Sequence, residues 1–128
     1  MIEYGDLIGK PFAYGARGPE VFDCWGLAME GARRAGLELP DYPSVEHPAA
    51  RAHAMLQAIQ TGWEKLPGPQ ANCVVWLRMD RKTGTHVGWM LDEDHFIHTT
   101  EETAGVARAR ISHPLWLLRV AGYYRRTE

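Results

Sequence analysis

Residues 18–36, GPEVFDCWGLAMEGARRAG, carry the strongest fold signal in the chain. Asp23 is a favourable helix N-cap, and Gly36 is a favourable residue just past a helix end. Between them, apolar residues recur every three to four positions, which is the spacing of one helix face. The pattern predicts a helix from Asp23 to about Ala35, with Cys24 at its start.

The elements on either side of this helix differ in kind. Residues 2–9 predict a short helix, residues 10–23 a loop rich in Gly and Pro, and residues 49–62 a second long helix that ends at Gly62. Short runs of β-branched and aromatic residues follow, separated by turn residues. These runs are CVVWLRM (73–79), HVGWML (86–91), HFIHTT (95–100), GVARARI (105–111) and VAGYYRR (120–126). Helices followed by strands predict an α+β fold, with N-terminal helices packed on one side of a C-terminal antiparallel sheet of about five strands.

Length and composition exclude several classes of protein. A chain of 128 residues fits one domain, 1–128, and its net charge of −2 favours neither nucleic acid nor an anionic membrane as a partner. We expect no membrane insertion, since no stretch approaches about 20 apolar residues. The N-terminus lacks the features of a secretory signal, which predicts a protein made in the cytoplasm. Two cysteines exclude a disulfide scaffold and a zinc site built of cysteines alone.

Cys24 has two interpretations. It is either a small apolar residue at the edge of the core, or a reactive thiol whose pKa is lowered by the partial positive charge of the helix N-terminus. Asp23 acts against the second effect, unless its carboxylate is occupied as a cap. A catalytic cysteine also needs a base, so the histidines decide between the interpretations.

The hairpin at 86–100 brings two histidines together. If residues 92–94 form a three-residue loop, Leu91 pairs with His95 and Gly88 lies opposite His98. His86 and His98 then share one face as diagonal neighbours, about 7–8 Å apart. A loop of even length would place them on opposite faces. The other histidines, His47, His53 and His113, are predicted at the surface. We expect no metal site, because His95 and His98 alternate faces and no third ligand is evident.

Cys24, His86 and His98 together would form a nucleophile, a base and an orienting group. An imidazole within hydrogen-bond reach of a thiol favours a thiolate–imidazolium pair, which attacks a carbonyl carbon. The third residue fixes the tautomer of the base. The backbone N–H of Cys24 would donate to the developing oxyanion. This chemistry requires no cofactor.

These motifs resemble those of the NlpC-type cell-wall cysteine peptidases, which are papain-like enzymes that cut peptidoglycan stem peptides. In that family a Tyr-Gly motif precedes an Asp-Cys pair at a helix start, and a His-Val-Gly strand is followed by a further polar residue on the next strand. The matching positions here are Tyr14, Asp23, Cys24, His86, Gly88 and His98. By this resemblance Cys24 is the nucleophile, His86 the base and His98 the third catalytic residue.

The resemblance also implies substrate-binding roles. Tyr14 would line the site near the oxyanion, or be a half-buried loop aromatic. Asp23 would hold the amino group of a stem peptide, cap the helix, or do both. Trp25 departs from the small polar residue common in the family, which predicts a reshaped substrate pocket. Cys73 is expected to pack within a strand.

The segments DCWGL (23–27) and GLELPDYP (36–43) resemble the phage and prophage tail-associated branch of this family. The expected function is therefore a peptidoglycan endopeptidase that cleaves stem-peptide amides, with the γ-D-glutamyl bond as a candidate. The expected location is a virion tail, with other tail-tip proteins as partners. Two alternatives stay open: a structural tail-tip protein with little activity, and an acyltransferase or amidase on the same scaffold.

Overall fold

A computed structural model describes residues 3–78, 84–101, 103 and 105–127, with the side chains of residues 48, 49 and 84 excepted. The predicted strand end at Met79 and helix start at Ile2 lie outside the described residues. In chain order the elements are a 3-10 turn at Gly5–Leu7, α1 at Cys24–Arg34, α2 at Pro48–Ala58, β1 at Trp63–Leu66, β2 at Val74–Arg78, β3 at Gly84–Met90, β4 at His95–Thr100, β5 at Gly105–Arg110, α3 at Pro114–Leu117 and β6 at Val120–Arg126. None of the described helices has both the length and the apolar character needed to cross a bilayer.

The strands form one antiparallel sheet in the order β1-β6-β2-β3-β4-β5. The α+β class is therefore confirmed, and the described sheet has six strands instead of about five. The additional strand, β1, has the sequence WEKL and two exposed central residues. Its pattern does not alternate, and its pairing partner β6 lies about 60 residues further along the chain, so no local signal identifies it.

The predicted helix ends are partly wrong. Among the described residues of this segment, 3–9, there is only a single 3-10 turn, because the chain bends at Gly9, where φ is +88°, and the Gly9 N–H donates to Val106 O of β5 at 2.9 Å. The second helix ends at Ala58 and not at Gly62. The prediction for α1 is confirmed, and Asp23 caps it by accepting a hydrogen bond from the Gly26 N–H at 2.7 Å.

Both faces of the sheet are covered. On the first face, α1 packs through Leu27, Ala28 and Ala32 against strand residues that include Trp89. Gly31 is required in this contact, since any side chain there would collide with the Trp89 ring. On the second face, Phe96 packs edge-to-face with Trp116 of α3, with the ring centroids 5.4 Å apart. The N-terminal helices thus lie on one side of the sheet, as expected, and the short C-terminal α3, which the sequence analysis did not predict, covers part of the other side.

Candidate active site

Cys24 occupies the first position of α1, where the capped chain turns from the loop into the helix. The residue is half-buried and its thiol is free. The sulfur accepts hydrogen bonds from the backbone N–H groups of Val87 in β3 and of Trp25. The helix start is thereby held directly against β3, the strand that carries His86.

The β3–β4 hairpin has the predicted register. Trp89 pairs with Ile97 and Met90 with Phe96, so that the same register places Gly88 opposite His98. Nε2 of His86 lies 3.2 Å from Nδ1 of His98, a hydrogen-bond distance. Both imidazoles are buried, with exposures of 3% and 2%. The expectation that these two side chains meet on one face is confirmed, whereas their catalytic roles stay a prediction.

A cavity of about 850 Å³ opens beside Cys24. Four other residues singled out from the sequence line it: Tyr14, Asp23, Trp25 and His86. His98 is not among the lining residues and contacts His86 from behind. Its ring is enclosed by Phe96 and Trp116, with centroids 5.0 and 4.6 Å away. Within the described part of the chain, no three His, Cys, Asp or Glu side chains are grouped so that they would hold a metal ion.

The pKa of the Cys24 thiol is raised, contrary to the sequence prediction. Burial is the main cause, and the neighbouring Asp23 carboxylate raises the pKa further. The N–H groups of Val87 and Trp25 and the Arg51 guanidinium lower it without offsetting these effects. Cys24 is therefore a neutral thiol at pH 7 in the resting chain.

Both site imidazoles are neutral as well. Burial lowers the pKa of His86 to about 3, with further contributions from His98 and Arg51. Burial alone lowers the pKa of His98 to about 4. A resting thiolate–imidazolium pair, as the sequence predicted, is therefore absent. General-base catalysis nevertheless uses these two forms, a neutral imidazole that removes the proton of a neutral thiol during attack.

Asp23 is fully engaged by the protein itself. Oδ1 accepts hydrogen bonds from the Gly26 N–H and from Arg17 Nη1, each at 2.7 Å. Oδ2 accepts from the Gly15 N–H at 3.1 Å and from the Ser44 hydroxyl. These four bonds fill the usual acceptor capacity of a carboxylate. Asp23 thus caps the helix and links two loops to it. Its carboxylate has no oxygen lone pair left free for the substrate amine that it was predicted to bind.

We expect the substitution Asp23→Asn to lower the apparent pKa of Cys24. The asparagine oxygen still caps α1, while the negative charge that raises the pKa of the thiol is removed. The rate of Cys24 alkylation by iodoacetamide, followed against pH in a Cys73→Ser background, measures this shift. Asp41→Asn is the matched control, because Asp41 also pairs with Arg17, at 2.8 Å, without contributing to the Cys24 pKa. An unchanged profile in Asp23→Asn would contradict the electrostatic role.

The structure adds to the sequence prediction at three residues of the site: Tyr14, which was predicted there, and Arg51 and Glu101, which were not. Tyr14 is 45% exposed at the cavity, and burial together with the Glu101 carboxylate raises its pKa. Arg51 of α2 lies 5.9 Å from the centre of the Tyr14 ring. Its guanidinium donates to the backbone oxygens of Val45, at 2.6 Å, and Glu46, at 2.7 Å. Arg51 and Glu101 were missed because neither lies in a motif, although Arg51, Ala54, Met55 and Ala58 have the spacing of one helix face.

Trp25 joins an aromatic cluster with Tyr42 and Trp63. Its ring centroid lies 5.4 Å from that of Tyr42 and 6.0 Å from that of Trp63. Its Nε1 donates to the Pro40 carbonyl at 2.9 Å. Trp25 lines the same cavity as Cys24, and its effect on the substrate pocket stays a prediction.

Comparison with known proteins agrees with the resemblance seen in the motifs. Two solved structures share the fold: an NLP/P60-family protein similar to a lipoprotein from Staphylococcus aureus subsp. aureus Mu50, and NlpC2 from Trichomonas vaginalis. The first has a TM-score of 0.65 and 19% identity over 96% of this chain and 38% of its own. The second has a TM-score of 0.58 and 20% identity over 96% of this chain and 44% of its own.

The chain thus spans less than half the length of either structure. No curated protein matches it in sequence. A model of the NlpC/P60 family matches residues 9–125, which include every residue of the candidate site. The chain therefore belongs to the NlpC/P60 family.

Proposed function

We propose that the chain is a cysteine peptidase that hydrolyses amide bonds in peptidoglycan stem peptides. One observation carries the proposal: the free, half-buried thiol of Cys24 and the His86 imidazole line the same cavity, and His86 Nε2 is held 3.2 Å from His98 Nδ1. A nucleophile, a base and a group that orients the base are the minimum set for acyl transfer through a covalent intermediate. The NlpC/P60 family is one of cell-wall peptidases, which supports the substrate class.

The first half of the reaction forms a thioacyl-enzyme. With Nε2 of His86 engaged by His98, Nδ1 is the nitrogen left to accept the thiol proton. The Cys24 sulfur attacks the amide carbon, a C–S bond forms, and the carbonyl oxygen becomes an oxyanion. The N–H of Cys24, the first residue of α1, has no intrahelical acceptor and can donate to this oxyanion. The C–N bond then breaks as His86 returns the proton to the leaving amine.

The second half releases the acid product. A water molecule gives a proton to His86 as its oxygen attacks the thioester carbon. The C–S bond breaks, and the proton passes back from His86 to the Cys24 sulfur. His98 keeps the His86 ring in one orientation through both halves, because packing against Phe96 and Trp116 fixes its own ring.

Soluble muropeptides provide the direct test. We expect the purified chain to convert them into two fragments that together gain one water, and mass spectrometry of the fragments then identifies the amide that is cut. The γ-D-glutamyl bond is our candidate. Cys24→Ala protein is the control for contaminating hydrolases. Products that contain a transferred acyl group in place of water would favour the acyltransferase alternative.

We further propose that the chain acts in a virion tail, on the strength of the tail-associated sequence segments 23–27 and 36–43. A purely structural tail-tip role is the second candidate, and the exposed leucines of the α3 region, Leu115, Leu117 and Leu118, favour contact with another protein. Deleting the gene and replacing Cys24 by Ala distinguish the two roles. A structural role predicts that deletion prevents tail assembly while Cys24→Ala leaves infection normal.

A further inference from the structure

Arg51 places a positive charge at the Cys24 cavity. Among the described residues that line this cavity, it is the only arginine or lysine, and its side chain is half-buried. It belongs to the first turn of α2, which begins at Pro48. A positive charge is unfavourable at the start of a helix, because the helix dipole is positive there. The stability of α2 therefore does not account for the charge of Arg51.

The Arg51 guanidinium is held in place by neutral oxygens. Nε donates to Val45 O at 2.6 Å, Nη2 to Glu46 O at 2.7 Å and Nη1 to Thr85 O at 3.4 Å. These bonds fix the plane of the guanidinium and use three of the five N–H groups of an arginine. No Asp or Glu carboxylate in the described part of the chain forms an ion pair with it. The result is a fixed cation whose charge these partners leave unneutralised.

The Tyr14 hydroxyl adds a second hydrogen-bonding group beside this cation. It is hydrogen-bonded to the Arg51 guanidinium and to the carboxylate of Glu101, which also lines the cavity. Since a carboxylate only accepts, Tyr14 donates its O–H to Glu101. The Glu101 side chain is exposed, and an exposed contact of this kind is broken at little cost. A substrate carboxylate that replaced Glu101 at Tyr14 would also gain the charge of Arg51.

Arg51 also lies close to the reacting groups. Burial is the main influence on the pKa values of Cys24 and His86, and the Arg51 charge acts on both, lowering each pKa. The interaction of two charges weakens with distance and with exposure to water. A carboxylate bound by Arg51 therefore belongs to the part of the substrate that lies next to the attacked carbonyl.

We propose that Arg51, together with the Tyr14 hydroxyl, binds a free carboxylate on the substrate residue whose carbonyl Cys24 attacks. A glutamyl residue linked through its side-chain carboxyl has such a group, because its α-carboxylate stays free. A residue linked through its α-carboxyl has consumed that group in the amide. The inference rests on the proposed peptidase function and narrows its substrates to amides that carry this neighbouring negative charge.

Two stem peptides that differ in one functional group test the preference. One contains γ-linked D-glutamate, with a free α-carboxylate, and the other contains γ-linked D-isoglutamine, whose α-carboxamide is neutral. We expect kcat/KM for the unmodified chain to be at least about tenfold higher for the glutamate peptide, since hydrogen bonds between charged groups are among the strong ones. Equal kcat/KM values for the two peptides would overturn the proposal.

Substitutions of Arg51 test whether this residue causes the preference. Arg51→Gln should reduce the ratio of the two kcat/KM values to about twofold or less, and Arg51→Lys, which keeps the charge, should retain part of the ratio. Because both peptides are compared on the same protein, a smaller folded fraction cancels from the ratio. Arg33→Gln is the matched control, because Arg33 is exposed and does not line the cavity. A ratio that Arg51→Gln leaves unchanged would refute the role of Arg51.

Binding to Cys24→Ala protein separates this proposal from the peptidase function. In calorimetric titrations with the same two peptides, we expect the Kd of the glutamate peptide to be at least about tenfold lower, and Arg51→Gln should remove the difference. Selective binding of the glutamate peptide, with no hydrolysis of either peptide by the unmodified chain, would support the carboxylate site and refute the peptidase. Hydrolysis of both peptides with equal kcat/KM and equal Kd values would support the peptidase and refute the carboxylate site.

Discussion

Cys24→Ala should abolish hydrolysis, and His86→Ala should reduce kcat/KM by roughly three orders of magnitude or more. The first change removes the atom that forms the covalent bond, and the second removes the proton acceptor that a neutral thiol requires. Because the pKa of Cys24 is raised, little thiolate is present at pH 7 to bypass the base. The double variant should be no slower than Cys24→Ala, since the two groups act as one unit.

Cys73→Ala is the matched control for Cys24→Ala. Cys73 is buried and belongs to the cluster on the second face of the sheet, where its thiol donates to Gln70 O at 3.2 Å. We expect the control to retain activity within about twofold, because the reacting groups are untouched. Hydrolysis at the normal rate in Cys24→Ala would rule out the thioacyl mechanism.

In the proposed mechanism, His98 acts on the reaction through His86 and is a positioning residue. His98→Gln keeps a polar group beside His86 Nε2, and we expect a loss of kcat of about 10- to 100-fold. His98→Leu removes that hydrogen-bond partner, and we expect its kcat to fall further than that of His98→Gln. Partial rescue by glutamine relative to leucine, at similar thermal stability, distinguishes orientation of His86 from packing of the core.

The second large effect is a loss of stability in mild acid. The unfolded chain binds protons at its histidines near pH 6.5, whereas folded His86 and His98 resist protonation until about pH 3 and 4. Between these values the unfolded state binds more protons, so the free energy of unfolding falls as the pH falls. Each imidazole is expected to contribute a loss on the order of 3 kcal/mol between pH 7 and pH 4.

Urea unfolding midpoints measured from pH 7.5 to pH 4.5 test this prediction. Carboxylates titrate mainly below this range, so the histidines determine the slope within it. His98→Gln should reduce the slope of the unfolding free energy against pH by the equivalent of about one proton. His53→Gln, at an exposed position on α2, should leave the slope unchanged. A wild-type stability that is constant from pH 6.5 to pH 5 would contradict the burial of neutral imidazoles.

Much of the geometry of the candidate site could be predicted from local sequence. The cap at Asp23 defines where α1 begins, and thus where Cys24 is placed. The three-residue loop at 92–94 determines the hairpin register, and register determines which side chains share a face. Both features depend on interactions between residues close in the chain, so their sequence signals are strong. The motifs around Cys24 and His86 also carry the resemblance to the NlpC-type peptidases, and the family match agrees with it.

Features that depend on distant residues were decided by the tertiary structure. Strand β1 pairs with β6 across the chain, and its four residues carry no strand pattern. The rings of Trp25, Tyr42 and Trp63 meet only in the folded chain, and Arg51 reaches the site from α2. These contacts join residues far apart in the chain, so the spacing of residues within any one segment does not predict them.

The protonation states of Cys24, His86 and His98 show most directly what the sequence determines and what depends on the tertiary structure. The sequence by itself determined that Cys24 starts a helix, which favours a thiolate. Only the tertiary structure decided that burial and the Asp23 charge outweigh the helix N-terminus, and that burial keeps His86 and His98 neutral. Desolvation depends on everything packed around a group, and that packing exists only once the chain has folded.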